Sequence, residues 1–254
     1  MMVYDSYFQS DSFDTLVCLH GFLGSKDEFE WLVRAFGSRM NIVCVGLPYH
    51  DENSIEYHPT LTAIAEQLKQ NLDDLSLDSV KMYGYSLGGR VAMMFMSLYS
   101  ERCSGLVIES AHIGCSTEDE RVESESLLQK NLSRFSSMTY DDFLLKWYQQ
   151  DLFSKTRDLL SEESIERKQS LHFKDLLHLY ECCHVSKQPY FGELFARLRC
   201  PVLYIAGEYD EKYVQKAHFL NETYGVDTKI IKYADHNVHV SAVEELVLGL
   251  KTFF

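Results

Sequence analysis

Six short apolar runs rich in β-branched residues recur along the chain: TLVCLH (15–20), NIVCVGLP (41–48), SVKMYGY (79–85), CSGLVIES (103–110), PVLYIAGEYD (201–210) and TKIIKYA (228–234). They are near-continuous rather than strictly alternating, the pattern of strands buried on both faces, and so predict a parallel sheet with helices on either side. The stretches between them supply those helices: FEWLVRAF, LTAIAEQLKQNLDDL, LGGRVAMMFMSLY and the closing VSAVEELVLGLKTFF space their apolar residues three and four apart, as one buried helical face requires. The alternation breaks between Cys115 and Leu198, where polar, helical sequence takes over, with acidic segments such as STEDERVESES and DLLSEESIERK. That region has one proline, Pro189, and no low-complexity tract. It predicts a helical cap inserted at 115–198 over the carboxyl edge of the sheet, with 1–114 and 199–254 forming an α/β core.

One stretch does not fit packing alone. In GYSLG (84–88) a serine stands between two glycines, after a strand run and before a helical one. Glycine weakens both elements, so its presence points to a tight strand-to-helix turn that lifts Ser86 above the sheet, with helix N–H groups directed toward it. A serine hydroxyl is inert at neutral pH unless an imidazole takes its proton and a carboxylate orients that imidazole. Asp210, closing the run VLYIAGEYD, and His236, following TKIIKYAD, supply both in the chain order Ser, Asp, His. The HGFLGS stretch after the first strong strand run suits the second oxyanion donor, making the backbone N–H groups of Phe22 and Leu87 the expected pair. His239 lies three residues beyond His236 and reads as a supporting group. Without a third ligand the H-N-V-H string is a weak metal signal, and no metal is expected there. His20 reads as an organiser of its loop.

Charge sharpens this picture. Aspartate and glutamate total 38 against 24 lysines and arginines, a net charge of -14, which repels nucleic acid and anionic lipid. A cation near the serine is therefore informative. Arg90 stands one helical turn after Ser86 and suits a substrate carboxylate. Arg121, the pair Trp147 and Tyr148, and Arg167 with Lys168 are further candidates in the cap, fitting a small anionic, ring-bearing substrate. The seven cysteines show no C-x-x-C spacing, so they read as reduced, mostly buried thiols rather than a disulfide frame or zinc site. No apolar run approaches a membrane span, and MMVYDSYFQSDSFD lacks a basic cluster ahead of an apolar segment. A monomeric cytoplasmic protein is the expectation.

Taken together, GYSLGGRVAM, LVIESAHIG, WYQQDLF, AGEYDEKYVQKA and DHNVHV resemble the 2-succinyl-6-hydroxy-2,4-cyclohexadiene-1-carboxylate synthases of menaquinone biosynthesis, lyases of the α/β-hydrolase fold. The resemblance implies elimination of pyruvate by a serine triad, without water or cofactor. It further implies that Arg90 holds a substrate carboxylate, that Arg121 is a cap arginine, that Tyr85 and Trp147 are pocket aromatics, and that either Arg167 or Lys168 matches a second cap arginine. The chain departs from the family at LPYHD (47–51), where L-P-G-H-G is usual, at Asp235, where glycine precedes the histidine, and at His112-Ile113, where serine-proline is expected. The same triad also serves a carboxylesterase, thioesterase or carbon-carbon bond hydrolase, and the fold alone serves a non-catalytic binding protein.

Overall fold

The computed structural model describes residues 2–9, 14–51 and 58–254. The six apolar runs become strands β2 (Thr15–Leu19), β3 (Asn41–Val45), β4 (Val80–Tyr85), β5 (Cys103–Glu109), β6 (Val202–Gly207) and β7 (Asp227–Ile231), each parallel to its neighbours among these six. A further strand, β1 (Tyr4–Tyr7), pairs antiparallel with β3, Tyr4 opposite Val45, and completes the sheet order β1-β3-β2-β4-β5-β6-β7. The hydrophobic pattern does not announce β1. Its YDSY sits at an edge with two half-buried and two exposed residues, so it needs no apolar run.

Successive side chains of the inner strands point to opposite faces, and both faces are covered. Val17, Leu19, Val43, Val45 and Met82 pack against α2 (Leu61–Asp74), α3 (Leu87–Leu98) and α9 (Glu211–Tyr224). Leu16, Cys18, Ile42, Cys44 and Tyr83 pack against α1 (Glu30–Phe36) and α11 (Val243–Leu250). Each fully buried aliphatic side chain contributes about 1.5–3 kcal/mol, which is why the strands read as unbroken apolar runs. The closing helical pattern divides in two: α10 (Val238–Ser241) ends at Ala242, which leaves the helical region at φ -153° and ψ 54°, before α11 begins. Ser241 Oγ accepts from the Asp235 N–H at 3.2 Å, tying α10 to the loop before it. No helix among the described residues is long and apolar enough to cross a membrane.

Between β5 and β6 the chain forms α4 (Glu118–Ser136), α5 (Tyr140–Tyr148), α6 (Glu162–Gln169), α7 (Phe173–Cys182) and α8 (Gly192–Phe195). Phe135, Phe143, Leu144 and Leu176 form a small core there, together with Leu23 from the loop after β2. Asp235, the departure from the family's glycine, explains much of the docking. Its buried carboxylate accepts from Lys155 N at 2.8 Å, Thr156 N at 2.7 Å and Thr156 Oγ1 at 2.8 Å, while the next residue, His236, donates its backbone N–H to Leu152 O at 3.0 Å. Asp235→Ala would orphan these donors. Hydrogen bonds to a charged acceptor are worth about 1.5–3 kcal/mol each, so urea unfolding should show a loss of about 3 kcal/mol, against about 1 kcal/mol for Thr156→Val. Equal, small losses for the two variants would refute this anchoring role.

Candidate active site

The site is built on the turn from β4 to α3. Ser86 has φ 49° and ψ -106°, a left-handed, strained conformation costing on the order of 1–3 kcal/mol. Its backbone is held in place: Ser86 N–H donates to Glu109 O at 2.8 Å, and Ser86 O accepts from Arg90 N–H at 3.2 Å. The flanking glycines are required by contact. A Cβ on Gly84 would lie 2.6 Å from Gly88 O, and one on Gly88 only 2.0 Å from Leu19 O.

His236 and Asp210 arrive from the loops after β7 and β6, at the same carboxyl edge of the sheet. His236 Nδ1–H donates to Asp210 Oδ2 at 2.5 Å, and Ser86 Oγ–H donates to His236 Nε2 at 3.2 Å. Carboxylate, imidazole and hydroxyl thus form one chain. Tyr85, Phe153 and Tyr213 surround the imidazole, with ring centroids 5.5, 5.8 and 4.7 Å away.

Phe22 and Leu87 both line the cavity in front of the serine. Leu87 opens α3, so its N–H has no helical partner and is available to an anion. The Phe22 loop is braced from below by the unusual LPYHD segment. His50 Nε2 accepts from Leu23 N–H at 3.0 Å, His20 Nε2 accepts from Leu47 N–H at 2.9 Å, and Asp51 Oδ2 accepts from Lys26 N–H at 2.9 Å. Burial, reinforced by His20, lowers the His50 pKa to about 3, keeping the ring a neutral acceptor. Tyr49 and Asp51, where the family has glycine, both hold positive φ, 63° and 51°. The departure therefore keeps the glycine backbone shape and adds a carboxylate to the brace.

The cavity is about 410 Å³ and brings together Phe22, Tyr85, Ser86, Leu87, Arg90, Trp147, Asp210 and His236. Trp147 packs against Phe22 with its ring tilted, centroids 5.0 Å apart. Arg90 is aimed by the helical segment: its Nε donates to Gln188 Oε1 and its Nη2 to Cys183 O. The other candidates from the 115–198 segment lie elsewhere. Arg121 Nη1 donates to Ser186 O at 2.6 Å and so steadies the strand of chain that carries Gln188. Arg167 Nη1 donates to Ser25 Oγ at 2.7 Å, and Lys168 Nζ to Leu23 O at 2.8 Å and Glu28 Oε1 at 3.0 Å. Both are drawn from the cavity by the acidic turn after β2. Tyr148 packs against Phe153 at 5.1 Å with Lys168 over its ring.

Sequence reasoning missed a second cation. Lys212 lines the same cavity, two residues after Asp210 in the first turn of α9, a position that the site's own carboxylate marks. Burial lowers its pKa, with Arg90 acting in the same direction against the pull of Asp210. Nearby His112 is held down to about 2 by burial and by Lys216, Lys212 and Arg90. The local field is positive in a chain of net charge -14, the field that an anionic ligand needs. Tyr180, of α7, also lines the cavity and carried no sequence signal.

His239 lies outside the triad, as expected of a supporting group. Its N–H and Nδ1 both meet Glu109, at 3.1 and 2.9 Å, and Nε2 is 3.9 Å from Glu28. Burial opposes its charge, but Glu109 and Glu28 raise its pKa to about 9. Burial likewise opposes ionisation of Glu28, yet Lys168 and His239 hold that carboxyl well below the usual range. Because the folded pKa of His239 exceeds the unfolded value of about 6.5, its stabilisation is fully present below about pH 6.5 and is lost as pH rises through about 9. Urea melts at about pH 6 and pH 9.5 should differ more for the parent than for His239→Gln, by about 3 kcal/mol. Identical pH dependence in both proteins would remove the charge from His239.

A serine on a strand-to-helix elbow, its imidazole and carboxylate in line, and a cavity opening in front of them define a serine-triad α/β enzyme. The chain belongs to the alpha/beta hydrolase fold family, whose sequence profile matches residues 14–175. Within it, similarity places the chain with the 2-succinyl-6-hydroxy-2,4-cyclohexadiene-1-carboxylate synthases. It is 32% identical to the putative enzyme of that name from Bacillus subtilis, covering 89% of this chain and 85% of the relative. It is 26% identical to the synthase of Pectobacterium atrosepticum over 94% and 92%. The solved structure of MenH from S. aureus superposes with a TM-score of 0.88 at 24% identity, covering 98% of this chain and 97% of that one, which supports the fold.

Proposed function

We propose that this chain eliminates pyruvate from 2-succinyl-5-enolpyruvyl-6-hydroxy-3-cyclohexene-1-carboxylate to give 2-succinyl-6-hydroxy-2,4-cyclohexadiene-1-carboxylate, a step of menaquinone biosynthesis, as a monomeric cytoplasmic enzyme whose 115–198 segment caps the site. Substrate and product differ by a proton at ring carbon 2 and the enolpyruvyl oxygen at carbon 5. Carbon 2 is next to the succinyl ketone, so its proton is the acidic one. Ser86 Oγ, its own proton passed to His236, removes it. The C–H pair forms the 2,3 double bond, the 3,4 pair shifts to 4,5, and the carbon-oxygen bond at carbon 5 breaks. The departing enolate takes a proton back from the His236 imidazolium and becomes pyruvate; no water is consumed. The N–H groups of Phe22 and Leu87 stabilise the charge that develops on the ketone oxygen, and Asp210 orients and stabilises the imidazolium.

The observation that carries this reading over ester hydrolysis is the pair of cations, Arg90 and Lys212, lining the triad's cavity in a strongly acidic chain. They suit a substrate with several carboxylates. The test couples pyruvate release to lactate dehydrogenase and follows NADH loss. Turnover of the enolpyruvyl substrate supports the lyase. Ready turnover of simple esters with a covalent adduct on Ser86, and no pyruvate, would instead establish a hydrolase; silence in both assays would leave a binding protein.

A further inference from the structure

Away from the cavity, α7 meets the segment that leads into α2. His178 and Cys182 stand one turn apart on α7 and so share a face, and His58, two residues before the helix-capping Thr60, comes against them. Cys182 Sγ lies 3.3 Å from His58 Nε2 and 3.6 Å from His178 Nδ1, and one donor atom from each of the three residues lies within 4.8 Å of the other two. Zinc bonds of about 2.3 Å to sulfur and about 2.0 Å to nitrogen, at tetrahedral angles, set sulfur and nitrogen about 3.5 Å apart. The two separations, 3.3 and 3.6 Å, bracket that edge length. His58 presents Nε2 rather than Nδ1 to the sulfur, 3.3 Å against 3.8 Å, while both nitrogens of His178 lie within reach of it, at 3.6 and 3.7 Å.

The donor set selects the ion. One thiolate and two neutral imidazoles suit Zn²⁺ rather than Mg²⁺ or Ca²⁺, which take oxygen. Access exists, since His58 is exposed and a pocket of about 140 Å³ lined by His58, Thr60 and Cys182 opens beside the cluster. We propose that His58 Nε2, a ring nitrogen of His178 and Cys182 Sγ bind one Zn²⁺ ion, with water in the fourth position. As the sulfur-zinc bond forms, the thiol proton leaves to solvent. The sequence pattern hid this site because its third ligand lies 120 residues upstream, whereas H-x-x-x-C on α7 alone is an ordinary helical pair.

Such an ion would tie two segments already joined where Cys183 Sγ–H donates to Pro59 O at 2.9 Å. It would also fix the end of α7, where Cys183, the next residue, offers its carbonyl to Arg90. The proposal is independent of which reaction the triad performs, and its readout needs no turnover. The full chain is stripped with a chelator, then titrated with Zn²⁺ against a chromophoric competitor and, separately, with Co²⁺. One equivalent of Zn²⁺ should bind and raise Tm by several degrees. Co²⁺ should give a thiolate charge-transfer band and the intense visible bands of a tetrahedral site. His58→Ala, at an exposed position that tolerates truncation, and Cys182→Ser should each weaken Zn²⁺ binding at least about 100-fold, while Cys200→Ser matches the parent. Absence of stoichiometric binding, a cobalt spectrum without the thiolate band, or unchanged affinity in His58→Ala and Cys182→Ser would each overturn the proposal.

Discussion

Ser86→Ala is expected to lower kcat/KM for pyruvate release by at least about 10³-fold, with little change in KM. General-base transfer by a positioned group contributes about 10²–10⁴-fold, and in the proposed relay the hydroxyl is the exit for the proton. His236 is flanked by Tyr85, Phe153 and Tyr213, and its backbone N–H is bonded to Leu152 O at 3.0 Å, contacts that hold the ring behind the position of the missing oxygen. Intact-mass measurement during turnover of the parent should show no accumulating adduct, because the oxygen accepts a proton rather than an acyl group. A Ser86→Ala protein retaining more than about a tenth of parental activity would mean that His236 reaches the substrate directly, and the relay would have to be abandoned.

The parts of this site that a reader of the sequence finds are those fixed by backbone geometry. GYSLG is legible because no other residue fits: a Cβ at position 88 meets Leu19 O at 2.0 Å. Asp210 and His236 are legible because parallel strands bring their carboxyl ends to one edge. The contacts of the helices between β5 and β6 are not, because helix position specifies a face and not a partner. Arg167 and Lys168 are plausible pocket cations by composition, yet Asp27 and Glu28 capture both from the other side of the turn. Lys212 was hidden for the opposite reason, as one more charge in an unremarkable D-E-K string whose proximity to Arg90 exists only in three dimensions. Edge strand β1 was invisible because a wet edge demands no apolar pattern.

Arg90→Gln should raise KM and reduce kcat/KM by about 10²–10³-fold, the equivalent of about 3–4 kcal/mol for losing one partner of a buried charge-assisted pair. Arg90→Lys should recover little of this, since a point charge does not reproduce a guanidinium fork. A structural explanation competes, because Arg90 also donates to Gln188 and to Cys183 O. The two separate in a third variant. Gln188→Ala removes a brace but leaves the charge, and is expected to cost less than about 10-fold, whereas a purely structural Arg90 would make the two variants alike. Ionic strength gives an independent check. A substrate anion drawn into a local positive field through the field of a net -14 chain loses that attraction as salt screens it, so KM of the parent should rise with salt more steeply than KM of Arg90→Gln. Matching salt profiles, or a KM for Arg90→Gln within about twofold of the parent, would take the substrate carboxylate away from Arg90 and leave Lys212 as the cation to examine.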